Sequence, residues 1–233
     1  MPSAPWGWRT SPPPSSSSTA MAISAPRRVG LFGGTFDPIH LGHLRAAEEV
    51  AEALELEKVL FVLAAHPPHK EGPAVDVRDR WEMLVRSIAS NPRFEASDVE
   101  IRRGGTSYSV ETVRYYRKHL KGGELFFILG ADAFSELEGW REYKTLLALI
   151  NLVVVSREGF EPEKVPLMKE EGYRREREGR YVHPSGTSLH FLPITPIGIS
   201  STFIRKAIRE GKSIRYLLPP EAERYIEEKG LYR

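Results

Sequence analysis

The segment at residues 30–50, GLFGGTFDPIHLGHLRAAEEV, concentrates residue types that could hold phosphate groups. Gly33 and Gly34 lack a Cβ atom, so their backbone N–H groups can approach a phosphate closely. His40 and His43 are three residues apart at the start of a predicted helix, and they therefore share one face of it. Because a helix N-terminus already attracts anions, two imidazoles there would add hydrogen-bond donors to a phosphate site.

The same residues have plainer interpretations, which the pattern leaves open. Two adjacent glycines can form a tight turn between a strand and a helix. A histidine pair at this spacing can bind zinc, but zinc needs further ligands. The other histidines, at positions 66, 69, 119, 183 and 190, offer no partner set apart from the pair at 66 and 69. The element matches neither G-x-G-x-x-G nor the P-loop.

A second candidate anion site lies near the end of the chain, in ISSTFIR at residues 199–205. Ser200, Ser201 and Thr202 stand at the start of a predicted helix, where hydroxyl and free N–H groups can bind an anion. Arg205 follows one turn later, and its guanidinium can contact two phosphate oxygens at once. A plain serine N-cap explains the same serines, and an anion site would be built on that cap.

Alternating strand and helix patterns predict the scaffold that positions these segments. Continuous apolar runs such as residues 58–65 predict buried strands, and apolar positions three and four residues apart predict the helices between them. We therefore expect one α/β domain over residues 27–233, with a doubly wound parallel sheet of Rossmann-like fold and ligands at the carboxyl ends of its strands. Residues 94–101 are predicted as a strand, and residues 160–187 as a polar excursion or flexible loop.

Composition narrows the classes of function. The 33 basic and 31 acidic residues give a net charge of +2, which argues against a dedicated nucleic-acid binder. The chain has no cysteine, which removes disulfides and thiolate sites and fits a cytoplasmic location. No apolar run approaches the roughly 20 residues of a membrane helix, so we expect no membrane partner.

The first 26 residues differ from the rest of the chain. They are rich in proline and serine, and the first acidic residue of the chain is Asp37. We expect a disordered N-terminal extension over residues 1–26. A serine-rich lead without acids also resembles an organelle transit peptide, but a misplaced start codon or a cloning remnant, with Met21 as the true start, is the favoured interpretation.

Both candidate segments closely resemble the signatures of the nucleotidylyltransferase superfamily. GGTFDPIHLGH matches its G-x-F-D-P-x-H-x-G-H element, and ISSTFIR matches its I-S-S-T-x-I-R element. The intervening chain resembles the bacterial nicotinate-nucleotide adenylyltransferases, from about Arg27 to about Leu231. This likeness rests on PPHK (67–70), GTSYSVETV (105–113), ILGADAF (128–134), Trp140 and VVVSR (153–157). Relatives often carry Asn or a small polar residue before PPHK, where this chain has His66, so one polar acceptor contact is in doubt.

The resemblance implies a nucleotidylyltransferase fold and the transfer of the adenylyl group of ATP to nicotinate mononucleotide, with Mg²⁺ carried by ATP. It implies that His40, His43 and Arg205 are catalytic. The ATP site it implies comprises Gly33, Gly34, Thr35, Phe36, His40, His43, Asp132, Ile199, Ser200, Ser201, Thr202 and Arg205. The acceptor site it implies comprises Lys70, Thr106, Tyr108, Thr112, Trp140 and Arg157, with Trp140 stacked on the pyridine ring. No metal-ligating side chain is predicted, and the oligomeric state is open, a homo-oligomer included.

Alternatives remain for single residues and for the function. Trp140 could be an ordinary core aromatic, Asp132 and Thr112 could cap helices, and Lys70 and Arg157 could be surface charges. Other acceptors, nicotinamide mononucleotide or phosphopantetheine, would keep the same signatures. A nucleotide-binding module without turnover would not need both signatures. A class I aminoacyl-tRNA synthetase shares an H-x-G-H-type element, but this chain lacks the K-M-S-K-S lysines.

Overall fold

The computed structural model describes residues 28–68, 73–120, 122–156 and 160–233, so the predicted extension over residues 1–26 lies outside the described residues. Within these ranges, the strands are β1 (Arg28–Gly34), β2 (Lys58–Leu63), β3 (Phe94–Ser97), β4 (Glu124–Gly130), β5 (Asn151–Ser156), β6 (Arg174–Arg177), β7 (Arg180–Val182) and β8 (Ser188–Pro193). The helices are α1 (Leu41–Ala53), α2 (Val77–Ile88), α3 (Val99–Arg103), α4 (Ser109–His119), α5 (Ala131–Ser135), α6 (Tyr143–Leu149), α7 (Pro166–Glu170), α8 (Ser201–Arg209) and α9 (Pro220–Lys229).

The strands form one sheet in the order β3-β2-β1-β4-β5-β8-β7-β6. Six neighbouring strands run parallel to one another: β3, β2, β1, β4, β5 and β8. The last two strands form antiparallel pairs, β7 with β8 and β6 with β7. The chain builds outward from β1 in one direction through β2 and β3, and then in the other direction through β4 and β5. The predicted doubly wound sheet is thereby confirmed, and its switch point lies between the carboxyl ends of β1 and β4.

The core consists of two layers, one on each face of the sheet. One layer packs α1, α2, α8 and α9 against side chains such as Phe32 and Phe61. The other layer packs α4 to α7 against strand side chains such as Leu31 and Leu60, which precede Phe32 and Phe61 in the sequence and therefore point to the opposite face. Because both faces are covered, the parallel strands are apolar without alternation, which is why they were predictable. No helix within the described ranges is long and apolar enough to cross a membrane.

Two local predictions were wrong. The predicted strand over residues 94–101 ends at Ser97, because Ser97 Oγ accepts a hydrogen bond from the Val99 N–H at 3.3 Å and Asp98 pairs with Arg102 one helical turn later. Local side-chain bonds of this kind favour a turn over a continued strand.

The other departure is the polar segment over residues 160–187, which was predicted as an excursion or flexible loop. It forms α7 and the hairpin of β6 and β7, which extends the sheet beyond β8. Every residue of β6 (Arg174–Arg177) is exposed, so this edge strand carries no apolar pattern that would predict it. The packing of Tyr181 against Phe191 secures the hairpin instead.

Candidate active site

The loop from residue 35 to residue 40 joins β1 to α1 at the switch point of the sheet. Arg80, 1% exposed on α2, donates hydrogen bonds to the carbonyl oxygens of Thr35 (3.0 Å), Ala64 (2.7 Å) and Ala65 (3.0 Å). One buried guanidinium therefore fixes the chain where it leaves both β1 and β2. Burial lowers the pKa of Arg80, but an arginine stays charged at neutral pH.

The close packing of this loop requires a glycine at position 34. A Cβ atom there would lie 2.8 Å from the ring of Phe36, which is buried and has a positive φ of 46°. A side chain at position 34 would thus displace the ring that supports the loop. Gly34, the second glycine of the pair, therefore has a packing role in addition to any contact with a phosphate.

His40, the last residue of the loop, and His43, in the first turn of α1, stack on each other. Their ring centroids are 3.7 Å apart, and the N–H of His40 donates to Nδ1 of His43 at 3.3 Å. Since Nδ1 of His43 accepts a hydrogen bond, the proton of its neutral ring is on Nε2. A Cβ at Gly42 would lie 3.1 Å from the His40 ring, so glycine leaves room for the stack.

Burial sets the charge of His40. The side chain is 7% exposed, and burial lowers its pKa to about 4. His40 is therefore neutral at pH 7, and it contributes to the site as a hydrogen-bonding group and not as a cation. The positive charge for an anionic ligand must come from elsewhere in the site.

We expect the free energy of unfolding to fall as the pH is lowered from about 6.5 to about 4. Burial lowers the pKa of both His40 and His190 from 6.5 to about 4, so in this window the unfolded chain binds protons that the folded chain does not. The loss should reach about 2–3 kcal/mol for each histidine at about pH 4.5. Denaturant unfolding of the wild type and of His190→Gln at pH 7 and 4.5 tests this, because glutamine does not titrate. Equal losses in the two proteins would contradict it.

The second signature packs its helix end directly against the first. Ser200 caps α8 by accepting a hydrogen bond from the Phe203 N–H at 3.2 Å, as a serine N-cap is expected to do. Ser201 Oγ donates to the carbonyl oxygen of Pro38 at 2.8 Å. Arg205 Nη1 donates to the carbonyl oxygen of Asp37 at 2.7 Å. The two sequence signatures, remote along the chain, therefore form one site.

A cavity of about 770 Å³ opens between the two signatures. We refer to it as the nucleotide cavity. All twelve residues predicted for the ATP site line it: Gly33, Gly34, Thr35, Phe36, His40, His43, Asp132, Ile199, Ser200, Ser201, Thr202 and Arg205. The structure brings these residues together, and their individual roles stay predictions.

A second cavity, of about 270 Å³, adjoins the first and is called the acceptor cavity below. Tyr108, Thr112 and Trp140 line it. The two cavities share a wall made of Phe32, Gly33, Gly34, Thr35, Gly130 and Ala133. Ligands in the two cavities would therefore meet over Gly33 and Gly34, the last two residues of β1.

The structure does not bring all six predicted acceptor residues together. Thr106 is exposed and is not part of the cavity lining. The hydroxyl of Thr112 is used within the protein, since it donates to the Glu100 carboxylate and accepts from Arg103 Nη1 at 3.2 Å. Lys70 and Arg157 lie outside the described residues.

Trp140 is half-buried at the wall of the acceptor cavity. The planes of the indole and of the Phe127 ring are nearly perpendicular, with the ring centroids 6.2 Å apart, and the indole packs against the core that contains Phe127. Arg141 also lines this cavity, and its guanidinium lies 4.6 Å from the centroid of the Tyr108 ring. Sequence reasoning missed Arg141, although its position next to Trp140 was a signal that could have marked it.

The donor set for a metal ion is small. The described residues contain no cluster of three or more His, Cys, Asp or Glu side chains that could hold one. In the nucleotide cavity, the carboxylate of Asp37 accepts hydrogen bonds from Ala74 N–H and Tyr232 OH, whereas Asp132 is exposed. This set fits a cation that is held mainly by the phosphates of a ligand, as Mg²⁺ commonly is.

Comparison with known proteins bears out the resemblance seen in the sequence. The chain matches the cytidylyltransferase-like family over residues 31–207. A probable nicotinate-nucleotide adenylyltransferase from Desulfitobacterium hafniense is 45% identical over 215 residues, which cover 91% of this chain and 100% of that protein. A protein with the same description from Thermus thermophilus is 43% identical and covers 88% of this chain and 100% of its own length.

Solved structures show the same fold. The structure described as Plasmodium falciparum nicotinic acid mononucleotide adenylyltransferase complexed with NaAD superposes with a TM-score of 0.71 at 17% identity, over 88% of this chain and 97% of that one. A structure of that protein complexed with APC gives a TM-score of 0.69 at 16% identity, over the same shares of the two chains. The match to the family and the identity to the two bacterial relatives together establish that the chain is a nucleotidyltransferase of the cytidylyltransferase-like family and belongs to the nicotinate-nucleotide adenylyltransferases.

Proposed function

We propose that this chain transfers the adenylyl group of ATP to nicotinate mononucleotide, forming nicotinate adenine dinucleotide and pyrophosphate in NAD biosynthesis. The observation that carries the proposal is the pair of adjoining cavities. One holds the anion-binding groups of both signatures, and the other holds the indole of Trp140. A nucleoside triphosphate and a flat pyridine nucleotide can lie in them with their phosphates meeting at Gly33 and Gly34. The names of the bacterial relatives support nicotinate mononucleotide as the acceptor.

The reaction is a direct in-line displacement. An oxygen of the acceptor 5′-phosphate forms a bond to the α-phosphorus of ATP, and the bond from that phosphorus to the bridging oxygen of pyrophosphate breaks. The departing pyrophosphate takes the electron pair. Because the second pKa of a phosphate monoester is about 6, the nucleophile is ionised at neutral pH and needs no strong general base. No covalent intermediate with the protein forms.

Catalysis then depends on positioning and on charge stabilisation around the phosphates. We assign the Nε2–H of His43 and the guanidinium of Arg205 to phosphate oxygens of ATP, since both side chains line the nucleotide cavity. His40, neutral and stacked on His43, fixes the orientation of that ring. The hydroxyl residues at the N-terminus of α8 and the N–H groups of Gly33 and Gly34 complete the anion site.

The remaining assignments follow the cavity linings. Asp132 is assigned to the sugar of ATP, and Trp140 and Tyr108 to the pyridine nucleotide. The proposal retains Lys70 and Arg157 as contacts to the acceptor phosphate. Mg²⁺ would enter with ATP, and when bound it would neutralise phosphate charge. The lack of cysteine fits a reaction in the cytoplasm, by a monomer or a homo-oligomer.

Pyrophosphate release tests the proposal. We expect strong release from ATP and Mg²⁺ with nicotinate mononucleotide, and little with nicotinamide mononucleotide or phosphopantetheine offered in parallel. Release with either of the other acceptors would keep the fold and the displacement but reject the assignment of the acceptor cavity. Tight ATP binding without release on any acceptor would favour a nucleotide-binding module.

A further inference from the structure

Tyr232, the next-to-last residue of the chain, contacts the loop at residues 35–40 from the far end of the sequence. Its hydroxyl donates to Asp37 Oδ1 at 2.7 Å, and both side chains are buried, with 8% and 5% of their surface exposed. We propose that Tyr232 is a positioning residue that keeps Arg205 available for the phosphates of ATP by satisfying the carboxylate of Asp37. The inference rests on the proposed function in one respect, that Arg205 binds ATP.

Local structure at the end of α9 directs the tyrosine toward the loop. Gly230 ends the helix in the left-handed conformation, with φ of 62°, and the N–H of Leu231 returns to the carbonyl oxygen of Ile226 at 3.1 Å. Tyr232 itself has φ of 65°. The reversal turns the chain back under the loop, so a residue without any local pattern reaches Asp37.

The carboxylate of Asp37 has a neutral donor on each oxygen. Oδ1 accepts from Tyr232, and Oδ2 accepts from the Ala74 N–H at 2.7 Å. Arg205 Nη1 therefore stays 4.0 Å from Oδ2 and donates to the Asp37 carbonyl oxygen at 2.7 Å, while Nη2 donates to Thr202 Oγ1 at 3.3 Å. Neutral acceptors hold the guanidinium in place, and its charge is not committed to a close ion pair.

Loss of the tyrosine hydroxyl would leave Asp37 Oδ1 without this donor and change the attraction between Asp37 and Arg205. A buried carboxylate oxygen without a donor is costly, and the nearest available cation is drawn to it. Arg80, which also acts electrostatically on Asp37, is already bound to three carbonyl oxygens. Among the described residues, Arg205 lines the open cavity with 23% of its side chain exposed, and its Nη1 lies 4.0 Å from Asp37 Oδ2, so it is placed to close on Asp37. Asp37 would then compete with ATP for this guanidinium.

The tyrosine is a dependable donor across the working pH range. Burial, reinforced by the neighbouring Asp37 carboxylate, raises the pKa of Tyr232 well above its usual value. The hydroxyl therefore remains protonated wherever the protein is folded, and the contact with Asp37 is not lost by titration.

The test compares Tyr232→Phe with a matched control, Tyr225→Phe. Tyr225 is also a buried tyrosine near the end of the chain whose hydroxyl donates to an aspartate, Asp79 Oδ1, at 2.9 Å, but it does not line the nucleotide cavity. We expect Tyr232→Phe to raise both the KM and the dissociation constant for ATP about tenfold, and Tyr225→Phe to change them less than about twofold. Thermal unfolding of both variants reports any loss of stability.

A rescue separates competition by charge from general loosening of the loop. Asparagine at position 37 has no charge to attract Arg205, so in an Asp37→Asn background Tyr232→Phe should leave ATP affinity unchanged. The inference is overturned if Tyr232→Phe binds ATP as the wild type or the Tyr225→Phe control does, or if its effect persists in the Asp37→Asn background. Should the wild type bind ATP but release no pyrophosphate with nicotinate mononucleotide, the proposed function fails, while the ATP dissociation constants still decide the inference.

Discussion

Replacing His43 by alanine is expected to lower kcat about 10²- to 10³-fold, the usual effect of removing one preorganised donor from a charged transition state. The hydrogen bond from the His40 N–H to Nδ1 places the proton of the His43 ring on Nε2, where it can contact a phosphate oxygen. That contact strengthens as charge shifts toward pyrophosphate, so its loss should reduce kcat more than ATP affinity. The fold should persist, because alanine favours the helix that begins here.

Two further variants make this prediction specific. His43→Gln places an amide N–H near the position of Nε2, so it should recover part of the lost turnover. His183→Ala removes a histidine in the turn between β7 and β8, bonded to Ser185 and not part of the nucleotide cavity, and should behave as the wild type. Single-turnover pyrophosphate release measures the turnover of each variant, and a thermal unfolding scan measures the stability of its fold. Near-wild-type turnover in His43→Ala would reject the role assigned to this ring.

Most of the fold could be predicted because its information is local. Buried parallel strands such as β2 and β4 are continuously apolar, and the helices between them carry apolar positions at regular spacing. The β6–β7 hairpin was missed because β6 is exposed and charged throughout. It is held by pairing with β8 and by the contact of Tyr181 with Phe191, and neither is visible as a period in the sequence.

The site shows the same division between local and distant information. The glycines, histidines and serines of the two signatures could be identified because each signature is a short run with its own helix start. Arg80 and Tyr232 could not be identified from the sequence, because an arginine on a helix and a tyrosine near a chain end are usually surface residues. Only the fold shows that both are buried. Thr112 lines the acceptor cavity, but its hydroxyl is bonded to Glu100 and Arg103, so its contact with the acceptor stays a prediction.

Replacing Trp140 by alanine is expected to raise the KM for nicotinate mononucleotide about 10- to 100-fold, the range expected for losing one aromatic stacking partner of a nucleotide base. Phe127 supports the indole from the core, so the ring is held in place before the acceptor arrives. The KM for ATP should stay within about twofold of the wild-type value, because Trp140 lines the acceptor cavity and not the nucleotide cavity. Steady-state kinetics with each substrate varied in turn separates these two effects.

The KM for ATP and the more conservative variant Trp140→Phe together control for damage to the fold. Trp140→Ala also removes packing against the core, and a general loss of structure would weaken ATP and acceptor binding together. Trp140→Phe keeps a flat ring on the same support, so its acceptor KM should fall between those of the wild type and the alanine variant. A parallel rise in both KM values, or an unchanged acceptor KM in the alanine variant, would make Trp140 a core residue. The pyridine ring would then have to bind elsewhere in the acceptor cavity, where Tyr108 and Arg141 offer the next flat surface.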